Sequence, residues 1–387
     1  MTRLLVFEDS VYERDEDGVS TDRAFLMFAA SLSRLLPSVT MLGRLAPRPG
    51  RSYYGLPEAV LFQGLPHYES LAHPSAIPAT FRSLRTAWKA LGETDVAWLM
   101  GPQPLAVLMA LLARARGVPT VLGVRQDLPR YARQRHPGRR WVHMIADALE
   151  FAWRQLARSS PVIAVGPDLA RGYAHAPRLL ELVISLVSQS DTAEEKRVVG
   201  AASDGRLRVL NVGRLEMEKN PLLLADVIAR LREHDPRWHL VICGVGSMES
   251  DLRARLQELG LTDAADFLGY VPVDAGLMDV YRAADVFLHV SWTEGLPQVL
   301  FEAWAADVPV VATAVGGVPD AAGEAAVLIP PGDADAAVDA ILRVHADPDL
   351  AEKLVRAGRA RASSATFEAT LESAADFLRA AARSGAS

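Results

Sequence analysis

Short runs of β-branched and other apolar residues alternate with longer helix-like segments along most of this chain. In the second half, the short runs are Leu207–Val212, His239–Cys243, Phe267–Val271, Val286–Val290 and Val308–Ala312. The segments between them, which place apolar residues at spacings of three and four, are Pro221–Glu233, Met248–Leu259, Ala275–Ala283 and Pro297–Ala306. Strands and helices in regular alternation predict βαβ units, and therefore a parallel sheet with helices on both faces.

The first half of the chain repeats this plan less cleanly. Its predicted strands are Leu4–Phe7, Val39–Leu42, Val96–Met100, Thr120–Val124, Val162–Val165 and Leu182–Val187. A polar, charged segment with Gly and Ser follows at 188–205, which predicts a linker. The chain ends in two helix-like stretches, Ala334–Arg361 and Phe367–Arg383.

Because 387 residues are too many for one ordinary core, we predict an α/β protein of two tandem doubly wound, Rossmann-like domains. The first domain covers residues 1–187 and the second covers 206–365. A last helix within 366–387 is expected to pack back on the first domain. Ligands of such sheets bind beyond the carboxyl ends of the strands, so we expect the site in a deep cleft between the two domains.

The amino terminus has no long apolar stretch and no small-residue cleavage site, and no later apolar run approaches the ~20 residues of a spanning helix. The single cysteine, Cys243, excludes an internal disulfide and a cysteine-rich metal site. We therefore expect a soluble, cytoplasmic protein.

The most informative segment is Ser291–Glu302, which follows an apolar run and opens a helix. Pro297 suits the first turn of that helix, and Gly295 allows the main chain to approach a ligand closely. The free N–H groups at the helix start would bind a diphosphate. Glu302 can accept both hydroxyls of a vicinal diol such as ribose. Glu294 lies near the anion, which is favourable only if it binds a hydroxyl-rich group such as a sugar. Either glutamate alone would be an ordinary residue near a helix start.

Two other predicted strand ends point to the same ligand. Gly213 follows one strand, and the nearby cations Arg214 and Lys219 are placed to reach a diphosphate. Gly244 and Gly246 follow the next strand and form a second close-approach pair, which lacks the third glycine of a dinucleotide-binding fingerprint.

Two further turns bear on the same ligand. The main chain at Tyr270 and Val271, where a predicted strand runs into a turn, is placed to read the edge of a base. The glycine turn Val315–Asp320 either brings main-chain N–H groups to phosphate or sugar, or is simply a tight loop.

The strings GRLEMEKNP, VICGVGSMESDL, FLGYV and EGLPQVLFEAWAADVPVVATAVGGVPD resemble, in order and spacing, the signature of the family 4 glycosyltransferases of GT-B fold. The resemblance covers most of residues 206–331. It implies that Glu302 holds the ribose of a nucleotide-sugar donor and that Glu294 holds hydroxyls of the transferred sugar. It also implies a retaining enzyme without a metal ion or other cofactor. The Asp-x-Asp strings at 15–17, 333–335 and 347–349 agree, because none follows a core strand as a metal–diphosphate motif would.

The resemblance also implies the remaining roles at the donor site. Arg214 and Lys219 would neutralise the diphosphate leaving group, with help from main-chain N–H groups near Gly295 and Leu296. The predicted catalytic residues are Arg214, Lys219, Glu294 and Asp127. The predicted donor-binding residues are Gly213, Gly244, Gly246, Tyr270, Val271, Glu294, Gly295, Leu296, Pro297, Val299 and Glu302.

The first half departs from the family pattern where an acceptor would bind. Family members often carry a glycine pair after the first strand, whereas the predicted loop Glu8–Arg23 has one glycine, Gly18. We expect this loop to end at a helix N-cap formed by Thr21 or Asp22.

A second departure lies after the predicted strand Thr120–Val124. Many family members have a histidine there, and this chain has Arg125 and Asp127. Asp127 would orient an acceptor hydroxyl or a substrate amine, whereas Arg125 would hold a phosphate or a carboxylate. Alternatively, the two residues form a buried ion pair that steadies the loop. Gly18, Arg125 and Asp127 are therefore the predicted acceptor-side residues.

The segment Arg125–Arg158 holds eight Arg against three acidic residues, with Tyr131, Trp141, Phe151 and Trp153 interleaved. Such a mixture binds an anionic acceptor or an anionic membrane that carries a lipid-linked acceptor. Single-stranded nucleic acid is bound by the same mixture, although we do not expect a nucleic-acid partner. Alternatively, the segment is a solvated helix face whose aromatic residues turn into the core.

We therefore predict a retaining glycosyltransferase that moves a hexose-type sugar from a nucleotide-diphosphate sugar to a hydroxylated acceptor. The acceptor is a glycan, a lipid-linked molecule or a small molecule. The alternatives are a nucleotide-sugar epimerase or isomerase of the same fold, and a non-catalytic sugar-nucleotide-binding protein. Peripheral contact with the inner face of the membrane is compatible with each of these readings.

Overall fold

The computed structural model describes residues 2–52, 54–69, 73, 75–183, 187–189, 204–272 and 276–384. The chain divides into two compact units, which are described separately. Unit 1 comprises Met1–Ile184 and Ala369–Ser387, and unit 2 comprises Ser185–Glu368. Most of the predicted linker, 188–205, lies outside the described residues. Among the described residues, no helix combines the length and the apolar composition needed to cross a bilayer.

Unit 1 is an α/β unit with one sheet of nine described strands. Its strands are β1 (Arg3–Asp15), β2 (Gly18–Thr21), β3 (Ser38–Leu45), β4 (Tyr54–Gly55), β5 (Val60–Leu65), β6 (Val96–Gly101), β7 (Thr120–Val124), β8 (Val162–Val165) and β9 (Leu179–Leu182). Its helices within Met1–Ile184 are α1 (Ala24–Ser31), α2 (Ala76–Leu91), α3 (Pro104–Ala115), α4 (Leu128–Arg135), α5 (Arg140–Ala157) and α6 (Pro167–Gly172). Seven strands run parallel in the order β5-β3-β1-β6-β7-β8-β9.

The prediction of a loop at 8–23 is wrong, because β1 continues to Asp15 and then forms a hairpin with β2. The far half of β1 pairs antiparallel with β2, so that Tyr12 faces Thr21 and Asp15 faces Gly18. Glu8, Ser10 and Tyr12 alternate along this extension and are buried, Tyr12 completely. The predicted N-cap is also wrong, since α1 starts after Arg23 without a side-chain cap. Strand β9 ends at Leu182, where the predicted strand Leu182–Val187 was expected to begin, and residues 184–186 of that prediction lie outside the described residues.

Unit 2 contains a six-stranded, wholly parallel sheet among its described residues. Its strands are β10 (Leu207–Val212), β11 (Trp238–Cys243), β12 (Ala265–Gly269), β13 (Val286–His289), β14 (Val310–Thr313) and β15 (Val327–Ile329). Its helices in the described part from 204 to 366 are α7 (Leu222–His234), α8 (Glu249–Glu258), α9 (Leu277–Arg282), α10 (Gln298–Ala305), α11 (Val318–Ala322), α12 (Ala334–Ala346) and α13 (Pro348–Ser363). The strand order is β12-β11-β10-β13-β14-β15.

This order makes β10 and β13 neighbours at the point where the chain reverses its direction of winding. Loops that follow two such strands open on either side of a crevice at the carboxyl edge of the sheet, where ligands bind in folds of this type. The helices are held against the sheet by apolar side chains of β10, α7 and β11 such as Val209, Leu224 and Ile242, each almost completely buried. The loops that line the crevice therefore extend from a sheet whose apolar side chains are buried against the helices.

The predicted helix Ala334–Arg361 is in fact two helices, α12 and α13. Asp347 separates them, and its carboxylate accepts hydrogen bonds from the main-chain N–H groups of Asp349 and Leu350. Pro348 occupies the first position of α13, where its missing N–H leaves no helical bond unmade. A capping residue followed by proline thus ends one helix and begins the next.

The last helix, α14 (Phe367–Ser384), begins at the end of unit 2 and belongs to unit 1 from Ala369 onward. Its apolar face is buried, including Leu371, Ala374 and Leu378. The guanidinium of Arg379 donates to the carbonyl oxygen of Leu35 at 2.6 Å. Unit 1 is therefore built from two separate parts of the chain.

Candidate functional site

Glu294 lies in a charged cluster at the carboxyl end of β13. Its oxygen Oε1 accepts a hydrogen bond from Ser291 Oγ at 2.7 Å and one from His289 Nε2 at 2.9 Å. The ammonium group of Lys219, from the loop after β10, pairs with the same oxygen. Because an ionised carboxylate only accepts hydrogen bonds, His289 carries a proton on Nε2. These three bonds do not involve the second oxygen, Oε2.

The carboxylate of Glu294 is ionised at neutral pH although its side chain is only 9% exposed. Burial alone would raise the pKa of Glu294. The positive charge of Lys219, together with the hydrogen bond from His289, outweighs burial and holds the pKa well below its ordinary value. The site therefore keeps a fixed negative charge next to a fixed positive charge at the strand ends.

Main-chain contacts fix the loop that carries Glu294. The N–H of Trp292 donates to the carbonyl oxygen of Glu218 at 2.9 Å, which joins this loop to the one after β10. The N–H of Gly317 donates to the carbonyl oxygen of Gly295 at 3.0 Å. A Cβ atom on Gly316 would lie 1.8 Å from the carbonyl oxygen of Glu294. The glycine turn Val315–Asp320 is thus a support on which the Glu294 loop rests.

The two predicted cations occupy different positions. Lys219 ends a 3-10 turn, Met217–Lys219, and its ammonium reaches Glu294. Arg214 is more than half exposed, and its Nη2 donates to Glu218 Oε1 at 3.0 Å. The structure therefore brings Lys219 together with Glu294, whereas the ion pair of Arg214 is with Glu218.

The glycines after β10 and β11 allow two loops to pack against each other. A Cβ on Gly244, whose φ is +141°, would lie 1.9 Å from the carbonyl oxygen of Gly213. A Cβ on Gly246 would lie 2.3 Å from the carbonyl oxygen of Leu215. A Cβ on Gly213 would meet nothing within 4 Å. Gly244 and Gly246 are thus required by main-chain packing, and Gly213 faces open space. Contact of these glycines with a donor remains a prediction.

Glu302 is buried within α10. It is 5% exposed, and its Oε2 accepts a hydrogen bond from the hydroxyl of Tyr281 at 2.8 Å. Burial raises the pKa of Glu302 to about 7, although the hydrogen bond from Tyr281 works in the opposite direction. The carbonyl oxygen of Val299 lies 3.3 Å from the same hydroxyl. Tyr281 therefore fixes the orientation of a carboxylate that is protonated in part at neutral pH.

The remaining predicted donor residues flank these groups. Pro297 is the buried, extended residue immediately before α10, and Leu296 beside it is half-buried. Strand β12 ends at Gly269, not at Val271 as predicted, so Tyr270 and Val271 belong to the following turn. The N–H of Gly244 donates to the carbonyl oxygen of Gly269 at 2.7 Å, which brings this turn beside the glycine loop.

His289 and Ser291 are site residues that the sequence interpretation missed. A signal was present, because a histidine inside the apolar run Val286–Val290 needs a polar partner when it is buried. The spacing of His289, Ser291 and Glu294 places all three side chains where the strand gives way to the loop.

In unit 1, Arg125 pairs with a residue that was not predicted. Its Nη1 donates to Glu8 Oε1 at 2.9 Å, and its guanidinium lies 3.9 Å from the ring centroid of Phe25. Glu8 is 9% exposed, and its other oxygen, Oε2, is buried without a hydrogen-bond partner in the described part of the chain. The alternative in which Arg125 forms an ion pair with Asp127 is therefore wrong.

Asp127 caps a helix. It is the N-cap of α4, where its Oδ1 accepts from the N–H of Arg130 at 2.9 Å. Gly18 lies at the exposed β1–β2 turn with a φ of +131°. An acceptor role for Asp127 or Gly18 remains a prediction. The pair of Glu8 and Arg125 lies at the carboxyl ends of parallel strands and has an unused buried oxygen.

Among the described residues, no three side chains of His, Cys, Asp or Glu come together as a metal site would require. The wholly parallel sheet of unit 2, its reversal point between β10 and β13, and the acid and lysine at those strand ends define a ligand-binding α/β unit of the Rossmann type.

Comparisons with known proteins narrow this class. Residues 192–361 match the family model of the glycosyl transferases group 1. Sucrose-phosphate synthase from Thermosynechococcus elongatus is similar in structure, with a TM-score of 0.74 at 19% identity over 98% of both chains. Anabaena HepE in complex with UDP-glucose has a TM-score of 0.71 at 18% identity, covering 98% of this chain and 100% of its own. The chain thus has the predicted GT-B fold, and its residues 192–361 are similar to the glycosyl transferases group 1.

Among curated relatives, D-inositol 3-phosphate glycosyltransferase of Kribbella flavida is 32% identical over 221 residues. The match covers 53% of this chain and 52% of that protein. A second such protein, from Corynebacterium jeikeium, is matched over 46% of its length. The chain thus spans about half the length of the curated relatives that it matches.

Proposed function

We propose that the protein is a retaining glycosyltransferase that moves a hexose-type sugar from a nucleotide-diphosphate sugar to a hydroxylated acceptor, without a metal ion. The observation that carries this proposal is the arrangement around Glu294. One of its oxygens binds Lys219, His289 and Ser291, and the loop that bears it leads into α10. The match of residues 192–361 to the glycosyl transferases group 1 and the similarity in fold to HepE, which was solved with UDP-glucose, support the same function.

The donor is held by two carboxylates with different environments. Glu302, oriented by Tyr281, accepts the two hydroxyls of the nucleotide ribose. Glu294 uses Oε2 to accept hydroxyls of the sugar, since its Oε1 already receives three hydrogen bonds. The fixed position of Oε1 determines where Oε2 points. The network around Glu294 therefore sets the orientation of the sugar.

The diphosphate lies between these carboxylates and the cations. An ammonium group has three N–H donors, so Lys219 can bind Glu294 and a phosphate oxygen together. The free N–H groups at the start of α10 and the exposed guanidinium of Arg214 provide further positive potential. When the bond from the anomeric carbon to the diphosphate breaks, these groups stabilise the charge that develops on the leaving group.

Retention follows if the acceptor attacks from the face that the diphosphate leaves. The departing phosphate meets the positive character of the sugar ring on that face. It also accepts the proton of the incoming hydroxyl. No enzyme nucleophile is needed, and Glu294, which is held by three donors, is poorly suited to be one.

The test is to incubate the protein with a panel of nucleotide sugars and to measure release of nucleotide diphosphate, with and without candidate acceptors. Glu294→Ala should lower turnover by about a hundredfold or more, because it removes a charged group in contact with the reacting sugar. Glu302→Ala should mainly weaken donor binding, on the order of tenfold or more. Glu258→Ala, at an exposed position of unit 2, serves as the matched control and should change neither quantity.

The outcomes separate the alternatives. Conversion of the sugar without release of nucleotide diphosphate would indicate an epimerase or isomerase. Tight donor binding without any turnover would indicate a non-catalytic binding protein. Cytoplasmic location stays a prediction from the sequence.

A further inference from the structure

Unit 1 exposes an unusual number of large apolar side chains on three of its helices. Nine of the fifteen exposed large apolar side chains in the described part of the chain lie on α2, α3 and α5. They are Ile77, Phe81, Trp88, Leu108, Leu111, Trp141, Met144, Ile145 and Phe151, with exposed fractions from 39% to 71%. Single exposed apolar residues are ordinary, whereas a group of this size marks a surface that is covered in use.

Helix α5 shows this most clearly, because it has two apolar faces. One face is buried against the sheet and includes Ala146, Trp153 and Ala157. The opposite face carries Trp141 and Phe151, which are 59% and 65% exposed. The interpretation of this segment as a solvated face with its aromatic residues in the core therefore holds for Trp153 but fails for the other two.

The three helices form one surface. Helix α3 contacts both α2 and α5, so it lies between them. Their inner faces pack on the sheet, and the exposed residues consequently share the outer side. The outer side of α2, α3 and α5, with its nine exposed apolar residues, is called the apolar face below.

The apolar face has a strongly basic surround. Helices α2, α3, α4 and α5 contain nine Lys and Arg against two acidic residues. Both acids are already paired, Asp147 with Arg133 at 2.8 Å and Glu150 with Arg154 at 2.8 Å. Arg139 and Arg140, at the start of α5 beside Trp141, are exposed. Apolar and aromatic side chains within a field of positive charge match the interface of an anionic bilayer.

We propose that the apolar face docks on an anionic lipid bilayer and that the acceptor is presented there, on the membrane surface. The docking of the apolar face on a bilayer rests on unit 1 alone. The presentation of the acceptor at the membrane also rests on the proposed function. A second copy of this chain is a poor occupant, because a symmetric contact would place the same basic helices against each other. An anionic membrane would bury the exposed apolar side chains and would also attract the positive charge around them.

The position of the apolar face relative to the strand ends connects docking with the acceptor. Helix α2 connects the parallel strands β5 and β6, and α5 comes after α4 and leads into β8, so both helices run back along the sheet and begin at its carboxyl edge. Phe81 and Trp141 lie in the first halves of these helices. The same edge carries the Glu8–Arg125 pair with its unused carboxylate oxygen. A hydroxyl that projects slightly above the lipid surface would meet this edge.

The test is sedimentation of the full chain with vesicles, either of phosphatidylcholine alone or of phosphatidylcholine mixed with phosphatidylglycerol. The protein should sediment with the anionic vesicles at low salt and much less with the neutral ones. The double variant Trp141→Ser with Phe151→Ser should lower the partition coefficient about tenfold or more. Leu61→Ser, in the same unit and 61% exposed on β5, is the matched control and should leave it unchanged.

A second pair of variants tests the charge. Arg139→Gln with Arg140→Gln should lower partitioning onto anionic vesicles by about tenfold or more, and should have little effect on neutral ones. No binding to anionic vesicles at low salt would overturn the proposal. So would equal losses for the apolar double variant and Leu61→Ser. Self-association without lipid that the apolar double variant abolishes would assign the surface to a second copy instead.

The assay does not depend on catalysis. Sedimentation needs no donor and no acceptor, so it can succeed in a protein that proves inactive. If nucleotide diphosphate is released with soluble acceptors and vesicle binding is absent, the docking proposal fails while the proposed function stands. If vesicle binding is present and soluble acceptors give full rates that vesicles do not raise, presentation of the acceptor by the membrane is wrong.

Discussion

Replacing Glu302 by Gln should stabilise the protein in a pH-dependent way. The buried carboxyl of Glu302 has its pKa raised from 4.5 to about 7, mainly by burial. At about 1.36 kcal/mol for each pH unit of this difference, ionising it in the folded state costs roughly 3 kcal/mol. Between these two pKa values the folded state keeps a proton that the unfolded state releases. The stabilising contribution of this group is therefore complete below pH 4.5 and is lost as the pH rises through about 7.

The glutamine variant removes the ionisation and retains an oxygen that can accept from Tyr281. Its advantage over the wild type should therefore be larger at pH 8 than at pH 5, by roughly 2 to 3 kcal/mol. Urea unfolding of both proteins at the two pH values measures this difference. Any packing cost of the amide is the same at both pH values, so it cancels in the comparison. The same substitution should weaken binding of the free nucleotide diphosphate by about tenfold, because a charged acceptor for the ribose is lost.

Glu258→Gln is the matched control, because its side chain is 67% exposed and remains hydrated in both states. It should show no added gain at pH 8. If Glu302→Gln and the wild type lose stability in parallel between pH 5 and pH 8, the carboxyl of Glu302 is not the costly buried charge described above. If the variant gains stability and binds the nucleotide as tightly as the wild type, the ribose assignment is wrong.

Three further results are expected. Gly244→Ala should destabilise unit 2 by about 2 kcal/mol or more, because its Cβ would meet the main chain at 1.9 Å. Gly260→Ala, where φ is also positive but the space is open, should cost only about 1 kcal/mol in the same urea titration. Asp127→Ala should lower the free energy of unfolding by about 1 kcal/mol, because the N-cap of α4 is lost. Asp127→Asn can still cap the helix and should retain both stability and turnover. A large loss of turnover in Asp127→Asn would instead support an acceptor role for Asp127. Turnover should survive prior treatment with EDTA, and recovery of a lost activity by added Mg²⁺ would refute metal independence.

The donor side of the site was predictable because its signals are local. Lys219 and Glu294 each follow a strand by a few residues, and Glu302 lies in the helix that begins just after Glu294. Parallel strands bring their ends to one edge. The direct pairing of Lys219 with Glu294 was not predictable in the same way. It depends on β10 and β13 being neighbours, although 75 residues separate the two side chains in sequence.

The errors in unit 1 also have a physical cause. The antiparallel pairing that extends β1 past Phe7 depends on partners supplied by β2, and short charged segments show little strand preference on their own. The partner of Arg125 was missed because Glu8 lies 117 residues away. Helical spacing on α5 indicates apolar faces, but spacing alone does not tell which face is buried.

The way the last helix is contributed also constrains how the chain can fold during synthesis. Residues 185–368 leave the ribosome before α14 does, yet α14 covers apolar surface in the unit that was made first. In the nascent chain, this apolar surface of unit 1 therefore stays exposed to solvent until unit 2 and α14 have been translated. A chain stopped after residue 368 would expose the surface under Leu371 and Leu378 permanently, which would make it a target for chaperones and proteases.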